Sequence, residues 1–243
     1  MASQIWRDCK LFMGAYDLSG DMNAHALEYK ADILEATVFG DTAKRRTGGL
    51  MGVTSKHEGL WTGGAGAVDD ALFASIAAAN QPLTVCPLTG AEGELAYFFN
   101  AKMAQYSPGG KIGELLRFSV NSEGGDGSDL IRGSVALNGT KTATGNGTIY
   151  NLGAVGATQK LYAALHVTSA SGGTPSLTCA VQSAATGGFG SPTTRITFGA
   201  KTAIGSEMAA PVAGAITDAY WRATWTISGS TPSFRAVLLI GIK

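Results

Sequence analysis

The last third of the chain contains two near-copies of one pattern, and this repeat limits the possible folds more than any other feature. The first copy, LYAALHVTSASGGTPSLTCAVQS, begins at Leu161, and the second, AYWRATWTISGSTPSFRAVLLIGIK, ends at Lys243. In each copy apolar and polar residues alternate on both sides of a Ser-Gly-x-Thr-Pro-Ser segment. Such alternation is typical of half-buried strands, and Gly, Pro and Ser at the break are typical of turns. We therefore predict that each copy is a β-hairpin and that the region is an antiparallel β-sandwich.

Composition extends the β prediction to the whole chain. The 243 residues include 34 glycines, only 15% are charged, and 45% are hydrophobic, a mixture that suits an all-β protein with many tight turns. The sequence NGTKTATGNGT, residues 138–148, is the most linker-like stretch. We predict one domain over residues 1–140 and a C-terminal antiparallel β-sandwich domain over residues 141–243.

The first domain is predicted to be mainly β with one short α-helix. Alternation from Leu27 to Ile33 indicates a strand, and its register changes near Leu34 and Glu35. Either a β-bulge there or a short helical turn over residues 31–35 explains this change. Further predicted strands cover residues 51–61, 83–88, 95–104, 115–120 and 131–137.

The helix is predicted over about residues 67–80. Asp69 and Asp70 lie in its first turn, where acidic side chains are favoured by the helix dipole. The spacing places Val68, Leu72, Phe73 and Ile76 on one apolar face.

Residues 40–50, GDTAKRRTGGL, are predicted to form a long, polar, flexible loop. Lys44, Arg45 and Arg46 within it are the densest group of cations in the sequence. Contact with an acidic neighbouring subunit and a solvated hairpin tip explain this loop equally well. A phosphate site is a third explanation, but the strand and helix that frame a phosphate-binding glycine loop are missing from the pattern.

No group of residues indicates catalysis. His25, His57 and His166 stand apart from one another, and the alternation places His166 on the polar face of its strand, as a surface residue. Cys9, Cys86 and Cys179 are too widely spaced for a zinc site or a disulfide framework, and Cys179 is predicted to be a buried thiol. We expect no enzyme activity, cofactor or metal. A glycosidase that uses two carboxylates far apart in the sequence stays open as an alternative.

The four tryptophans could in principle form a sugar-binding platform. Trp221 and Trp225, however, fall on the apolar face of one strand, which favours packing in a core. The N-terminal sequence lacks the apolar segment of a secretory signal, and no run of 18 apolar residues occurs. We therefore expect a protein made in a reducing cytoplasm without a membrane anchor.

Charge is unevenly distributed along the chain, although its net value is zero. Residues 1–135 contain 11 Lys/Arg and 16 Asp/Glu, which gives a net charge of −5. Residues 136–243 contain 7 and 2, which gives +5. Either two faces or two domains of opposite sign, or a random surface composition, explain this asymmetry. A basic nucleic-acid-binding stripe is not indicated.

Residues 15–140 resemble the tail tube (major tail) proteins of long-tailed bacteriophages. The resemblance is carried by YDLSGDMNAHALEYKADILEATVFGD, the basic loop KRRTGGL, the strand ending EGLW, the helix DDALFASIAAAN, and AEGELAYFFNAKMAQYSPGGKIGELLRFSV. The region from about Thr148 onward resembles the β-sandwich domains appended to phage structural proteins. The resemblance implies a tail-tube-like β-sandwich or barrel with one helix, followed by the second sandwich.

The resemblance also implies a structural virion protein of the tail, assembled in the host cytoplasm. Such subunits form rings, usually hexameric, that stack into a tube through which DNA passes without specific binding. Other tail proteins, such as the tape measure and the tail terminator, are implied partners. For ring stacking we expect Lys44, Arg45, Arg46 and the segment Thr47, Gly48, Gly49 and Leu50. Candidate acidic partners in predicted loops are Asp17, Asp21, Asp126 and Asp129.

Two other functions stay open. A capsid decoration protein or another virion β-sandwich protein would form small discrete oligomers. A carbohydrate-binding module would need tryptophans on an exposed face.

Overall fold

The computed structural model describes residues 8–64, 66–76 and 78–243 and is mainly β, as the sequence predicted. Its elements, in chain order, are β1 Lys10–Met13, β2 Tyr16–Asp17, β3 Met22–Glu35, β4 Arg46–Leu60, α1 Val68–Ser75, β5 Gln81–Cys86, β6 Leu95–Gly109, β7 Arg117–Gly124, β8 Ile131–Lys141, β9 Gly145–Asn146, β10 Tyr150–Asn151, β11 Lys160–Ala184, β12 Thr193–Thr197, β13 Gly205–Met208, β14 Val212–Ala213 and β15 Tyr220–Ile242. Over these described residues, α1 is neither long nor apolar enough to cross a membrane.

The chain forms two compact units, and both are discontinuous in sequence. Of the described residues, unit 1 comprises those within 8–20, 81–99 and 131–243, and unit 2 comprises those within 21–80 and 100–130. This division differs from the one predicted at residue 140. The predicted linker is largely strand, because β8 continues to Lys141 and β9 pairs with β15.

The prediction of two separate hairpins in the C-terminal repeat is wrong. Each copy is instead one long strand, and the two strands, β11 and β15, pair antiparallel along their whole length, from Leu161 opposite Ile242 to Ala184 opposite Tyr220. The Ser-Gly-x-Thr-Pro-Ser segments lie in the middle of this pair, where the register shifts. The predicted turn residues therefore bend two paired strands together.

This shared bend is built with two-fold pseudosymmetry. Ser171 pairs with Ser233, and Ser176 pairs with Ser228. Gly172 and Gly229 have φ values of 121° and 117°, a region that L side chains rarely adopt. A Cβ atom on either glycine would lie 2.8–2.9 Å from backbone atoms of the opposite strand. The bend therefore requires glycine at both positions.

The bend folds both strands around one core. The inward residues on either side of it, including Leu165 and Cys179 of β11 and Trp225 and Leu238 of β15, belong to a single buried cluster. The burial predicted for Cys179, Trp221 and Trp225 is confirmed. Hydrophobic contacts between the two halves of each strand thus stabilise a sandwich-like arrangement.

A second buried cluster covers the opposite face of the same strands. Val237 and Leu239 of β15 and Ala164 of β11 pack there with Phe12 and Phe98. The end of β15 is therefore buried on both faces, which explains its nearly continuous apolar sequence AVLLIGI.

His166 lies on this covered face, so the prediction of a surface histidine is wrong. Its Nδ1 is 2.7 Å from the carbonyl oxygen of Gly14, and its Nε2 is 2.8 Å from the hydroxyl of Thr84. The ring also packs against Phe12. Alternation identified the two faces of the strand correctly, but both faces are buried.

Unit 2 contains a sheet in the order β3-β4-β7-β6. Its buried residues include Val53 and His57 of β4, Val120 of β7, and Leu72 of α1. Asp69 at the start of α1 accepts hydrogen bonds from the hydroxyl of Tyr106 and the indole of Trp61, at 2.6 and 3.0 Å. These two bonds lower the pKa of Asp69 and tie the helix to neighbouring elements of unit 2.

Helix α1 is shorter than predicted. It ends at Ser75, because Ile76 is extended and forms a bridge with Met103. Phe73, placed on the apolar face by its spacing, is exposed, whereas Ala71 is buried. The predicted strands exist with shifted ends, and β3 continues through a register shift between Ala31 and Ile33, which rules out the helical turn.

Candidate assembly surface

The outer part of the β3–β4 hairpin is a two-stranded ribbon, which we call the arm and define as residues 28–52. β7 pairs with β4 only from Thr54 onward, so the arm has no third strand among the described residues. Every residue of the arm is exposed except Asp41 and Gly49, which are half-buried. An isolated two-stranded ribbon is marginally stable in water, so this arrangement favours pairing or packing with another chain.

The arm is unusually rich in exposed apolar side chains. Among the described residues, fourteen large apolar side chains are exposed, and all except Ile204 belong to unit 2. In addition to Tyr29, six of them lie on the arm: Ile33, Leu34, Val38, Phe39, Leu50 and Met51. A cluster of this kind is typical of an interaction surface.

Local hydrogen bonds shape the end of the arm, residues 36–45, which we call the tip. The amide of Ala36 donates to the carbonyl of Arg45, and the amide of Arg45 donates to the hydroxyl of Thr37. The carboxylate of Asp41 accepts a hydrogen bond from the amide of Val38 at 2.9 Å. These bonds form a turn that leaves the side chain of Phe39 fully exposed.

The predicted basic loop is shorter than expected. β4 begins at Arg46, so Arg46, Thr47, Gly48, Gly49 and Leu50 are strand residues of the arm. The sequence pattern did not reveal this part of β4, because Gly48 and Gly49 have no side chains that would mark the two faces of a strand. Lys44 lies 3.7 Å from Glu35 of the same arm, whereas no ion pair is described for Arg45 or Arg46.

The four predicted acidic partners occupy different surroundings. Asp17 belongs to unit 1, where it accepts a hydrogen bond from the amide of Ser19, and Asp21 belongs to unit 2, where it accepts from Thr62. Asp126 accepts from the side chain of Asn80, and Asp129 accepts from the hydroxyl of Tyr29 at 2.6 Å.

A groove of about 540 Å³ lies at the base of the arm. Its lining residues, all from unit 2, are Leu50, Met51, Gly52, Val53, Thr54, Glu123, Gly124, Gly127, Ser128 and Asp129. The groove therefore combines an apolar wall from β4 with the carboxylates of Glu123 and Asp129. Two predicted site residues, Leu50 and Asp129, meet here.

Sequence reasoning missed Val38 and Phe39 as surface residues. In the sequence Thr-Val-Phe-Gly-Asp, two large apolar residues stand directly before a polar, glycine-containing segment, a pattern that suits a core as well as a surface. An apolar pair inside a turn indicates an exposed contact when the flanking strands have no covering layer. The absence of that layer could be recognised only in the fold.

No family model and no curated protein matches this chain. Two similar chains of solved structure come from gene transfer agent particles. One, in the virion of the native particle, has 9% identity and a TM-score of 0.41, with 53% of this chain and 98% of that chain covered. The other, in the tail of an empty particle with C6 symmetry, has 11% identity and a TM-score of 0.40, with coverage of 52% and 98%.

A third similar chain is the Dit protein of SPP1, described as a hub adsorption apparatus of phages that infect Gram-positive hosts. It has 11% identity and a TM-score of 0.40, with 98% of this chain and 100% of that chain covered. At TM-scores near 0.4, these three likenesses do not establish a shared fold.

Proposed function

We propose that the chain is a structural virion protein that self-assembles into stacked rings, hexameric by resemblance, and forms the tube of a phage tail. The observation that carries this proposal is the arm, which combines unpaired strand edges with six exposed large apolar side chains. Edge strands of this length are an aggregation hazard in a monomer. Pairing within a closed ring removes the hazard, because every edge then has a partner.

The edge of β3 supports ring formation in particular. β3 is 14 residues long and pairs with β4 alone among the described strands. Its outer edge therefore offers backbone amide and carbonyl groups to a strand of a neighbouring copy. Hydrogen bonds between strand edges would join sheets of adjacent subunits into a continuous wall.

Charge is consistent with a conduit for DNA. A wall that DNA passes should not bind phosphates, and residues 1–135 carry a net charge of −5. Much of this excess lies in unit 2, where residues 21–80 and 100–130 contain 8 Lys/Arg and 12 Asp/Glu, which gives a net charge of −4. We place the surface of unit 2 toward the lumen. The tape measure and tail terminator proteins are the partners that the resemblance implies, and DNA passes without specific binding.

Negative-stain electron microscopy of the purified, concentrated protein tests the proposal directly. Rings or hollow tubes are the expected result. Compact trimers would instead favour a capsid decoration protein, and monomers at every concentration would contradict self-assembly. Trp221 and Trp225 are buried and Trp61 is half-buried, which disfavours a sugar platform built from these three residues. Trp6 lies outside the described residues.

Replacing the apolar pair at the tip should weaken assembly more than replacing the cations. In the variant V38S/F39S, the exposed apolar surface of the tip is lost without loss of any described core contact. We expect tube or ring formation to require at least tenfold more protein, as burial of one large apolar side chain contributes roughly 1.5–3 kcal/mol. Sedimentation velocity over a concentration series measures this shift.

Replacing Lys44, Arg45 and Arg46 with Ser should also leave the fold intact, because all three side chains are exposed. We expect weaker assembly at low salt and a smaller difference from the wild type at high salt, since salt screens exposed charges. Normal polymerisation of this variant at low salt would contradict a stacking role for the cations.

A further inference from the structure

We propose that the groove at the base of the arm receives the tip of a second copy of the chain. This inference rests on the proposed self-assembly and names the contact that would stack one subunit on the next. The tip and the groove are both parts of unit 2, and they match each other in polarity and in charge.

The groove has the composition of a protein-binding site for an amphipathic segment. Leu50, Met51 and Val53 provide an apolar side, and Glu123 and Asp129 provide carboxylates. Its volume of about 540 Å³ lies within the roughly 300–1,000 Å³ typical of pockets that bury a ligand. An apolar side chain flanked by a cation suits this lining better than a small polar solute does.

The tip presents that chemistry. Phe39 and Val38 are exposed at its end, and Lys44, Arg45 and Arg46 follow within a few residues. The tip contains Lys44, Arg45 and one acid, Asp41, which gives a net charge of +1, and Arg46 follows it directly. Residues 122–130, which border the groove, contain three acids and no cation, which gives −3. Opposite charges favour the encounter and fix its orientation.

The tip of an arm cannot fill the groove of its own chain. Ala31 pairs with Met51 beside the groove, and Glu35 pairs with Arg46 where the tip begins. Four residues of ribbon separate these two pairs, and at about 3.3 Å per residue they hold the tip roughly 13 Å away. Pairing of Ile33 with Gly48 and of Leu34 with Thr47 holds this part of the ribbon extended, so a tip that fills the groove belongs to another copy.

Photo-crosslinking identifies the occupant. A benzophenone amino acid replaces Phe39 in full-length protein, and a mixture of isotopically light and heavy chains is irradiated under assembly conditions. We expect light–heavy crosslinked dimers in which position 39 is joined to residues 50–54 or 123–129. Crosslinked dimers joined at other segments would contradict docking of the tip in the groove but would still support self-assembly. Chains that stay monomeric would contradict the proposed function itself.

Two matched variants sharpen the test. In the protein that carries the probe at position 39, Glu123→Lys should abolish crosslinks to the groove. Glu58→Lys reverses the charge of an exposed residue of β4 outside the groove and should leave these crosslinks intact. The same probe at Ile204, an exposed residue of unit 1, should not label the groove. Equal labelling of the groove in the Glu123 and Glu58 variants would overturn the charge match.

Discussion

Replacing Gly172 with alanine should destabilise unit 1 by about 3 kcal/mol, because two costs combine at this position. Its φ of 121° lies in a region essentially reserved for glycine, and placing another residue there costs roughly 1–3 kcal/mol. The new Cβ atom would also lie 2.8 Å from the carbonyl oxygen of Thr231 and 2.9 Å from two further backbone atoms. One of these atoms is the carbonyl oxygen of Ser230, which pairs with Gly173, so moving it away disturbs the adjoining strand pairing.

The adjacent glycine provides the control. Gly173 has no positive φ, and its nearest neighbour for a Cβ atom is the side chain of Ser230 at 3.4 Å. Gly173→Ala should therefore change stability by less than about 1 kcal/mol. Thermal unfolding measures both variants, and the Gly172 variant should melt roughly 6–12 °C lower than the wild type. Equal melting temperatures would show that the bend is not constrained as described.

Gly229→Ala should match Gly172→Ala, since pseudosymmetry places it in equivalent surroundings. Its Cβ atom would meet Thr174, Gly173 and Pro175 of β11 at 2.8–2.9 Å. A large difference between the two variants would contradict the symmetry of the bend.

This bend shows where sequence reasoning succeeded and where it stopped. Alternation predicted the buried face of each long strand, including Leu165 and Leu238, because side-chain direction follows from strand geometry alone. The identity of the partner strand could not be predicted, because glycine and proline at a break suit both a hairpin turn and a bend of two paired strands. Only the pairing of residues far apart in sequence, from Ala184 with Tyr220 to Leu161 with Ile242, distinguishes the two, and local chemistry does not encode it.

At the candidate assembly surface, charge and loop-like composition indicated the cluster Lys44–Arg46 and the acid Asp129. Asp129 lines the groove at the base of the arm, and the role of these residues in stacking stays a prediction. Phe39 could not be recognised as exposed, because an apolar residue in sequence is equally suited to a core. Its exposure follows from the lack of a covering layer over the arm, which is a property of the tertiary fold.

Burial of His166 should make unit 1 less stable in mild acid. The carbonyl of Gly14 can only accept, so Nδ1 carries the proton of the neutral ring and Nε2 accepts from the hydroxyl of Thr84. Burial lowers the pKa of His166 from 6.5 to about 4, although the Gly14 carbonyl and the charge of Asp17 act in the opposite direction. In the unfolded chain the pKa stays near 6.5.

The sign of the effect follows from these two pKa values. Between pH 6.5 and about 4 the unfolded chain binds a proton at His166 that the folded chain does not, so the free energy of unfolding falls as the pH falls. The contribution is fully present above pH 6.5, and its complete loss near pH 4 amounts to roughly 3 kcal/mol. The window lies above the range in which Asp69 and Asp218, whose pKa values are lowered, take up protons.

Comparison with His166→Gln isolates this histidine from the other two. His25 and His57, whose pKa values burial lowers to about 4 and about 3, are present in both proteins, so their contribution cancels in the difference. Glutamine does not titrate, and we expect the variant to be about 1–2 kcal/mol less stable at pH 7.5 through imperfect hydrogen bonding. Urea unfolding at pH 7.5, 6.5, 5.5 and 4.5 should then show the two stabilities converging as the pH falls and crossing by pH 4.5. Only the wild type loses the His166 contribution, and its loss of roughly 2–3 kcal/mol by that pH exceeds the initial deficit of the variant. Parallel pH profiles would mean that His166 is protonated equally in the folded and unfolded chain, which its buried hydrogen bonds to Gly14 and Thr84 argue against.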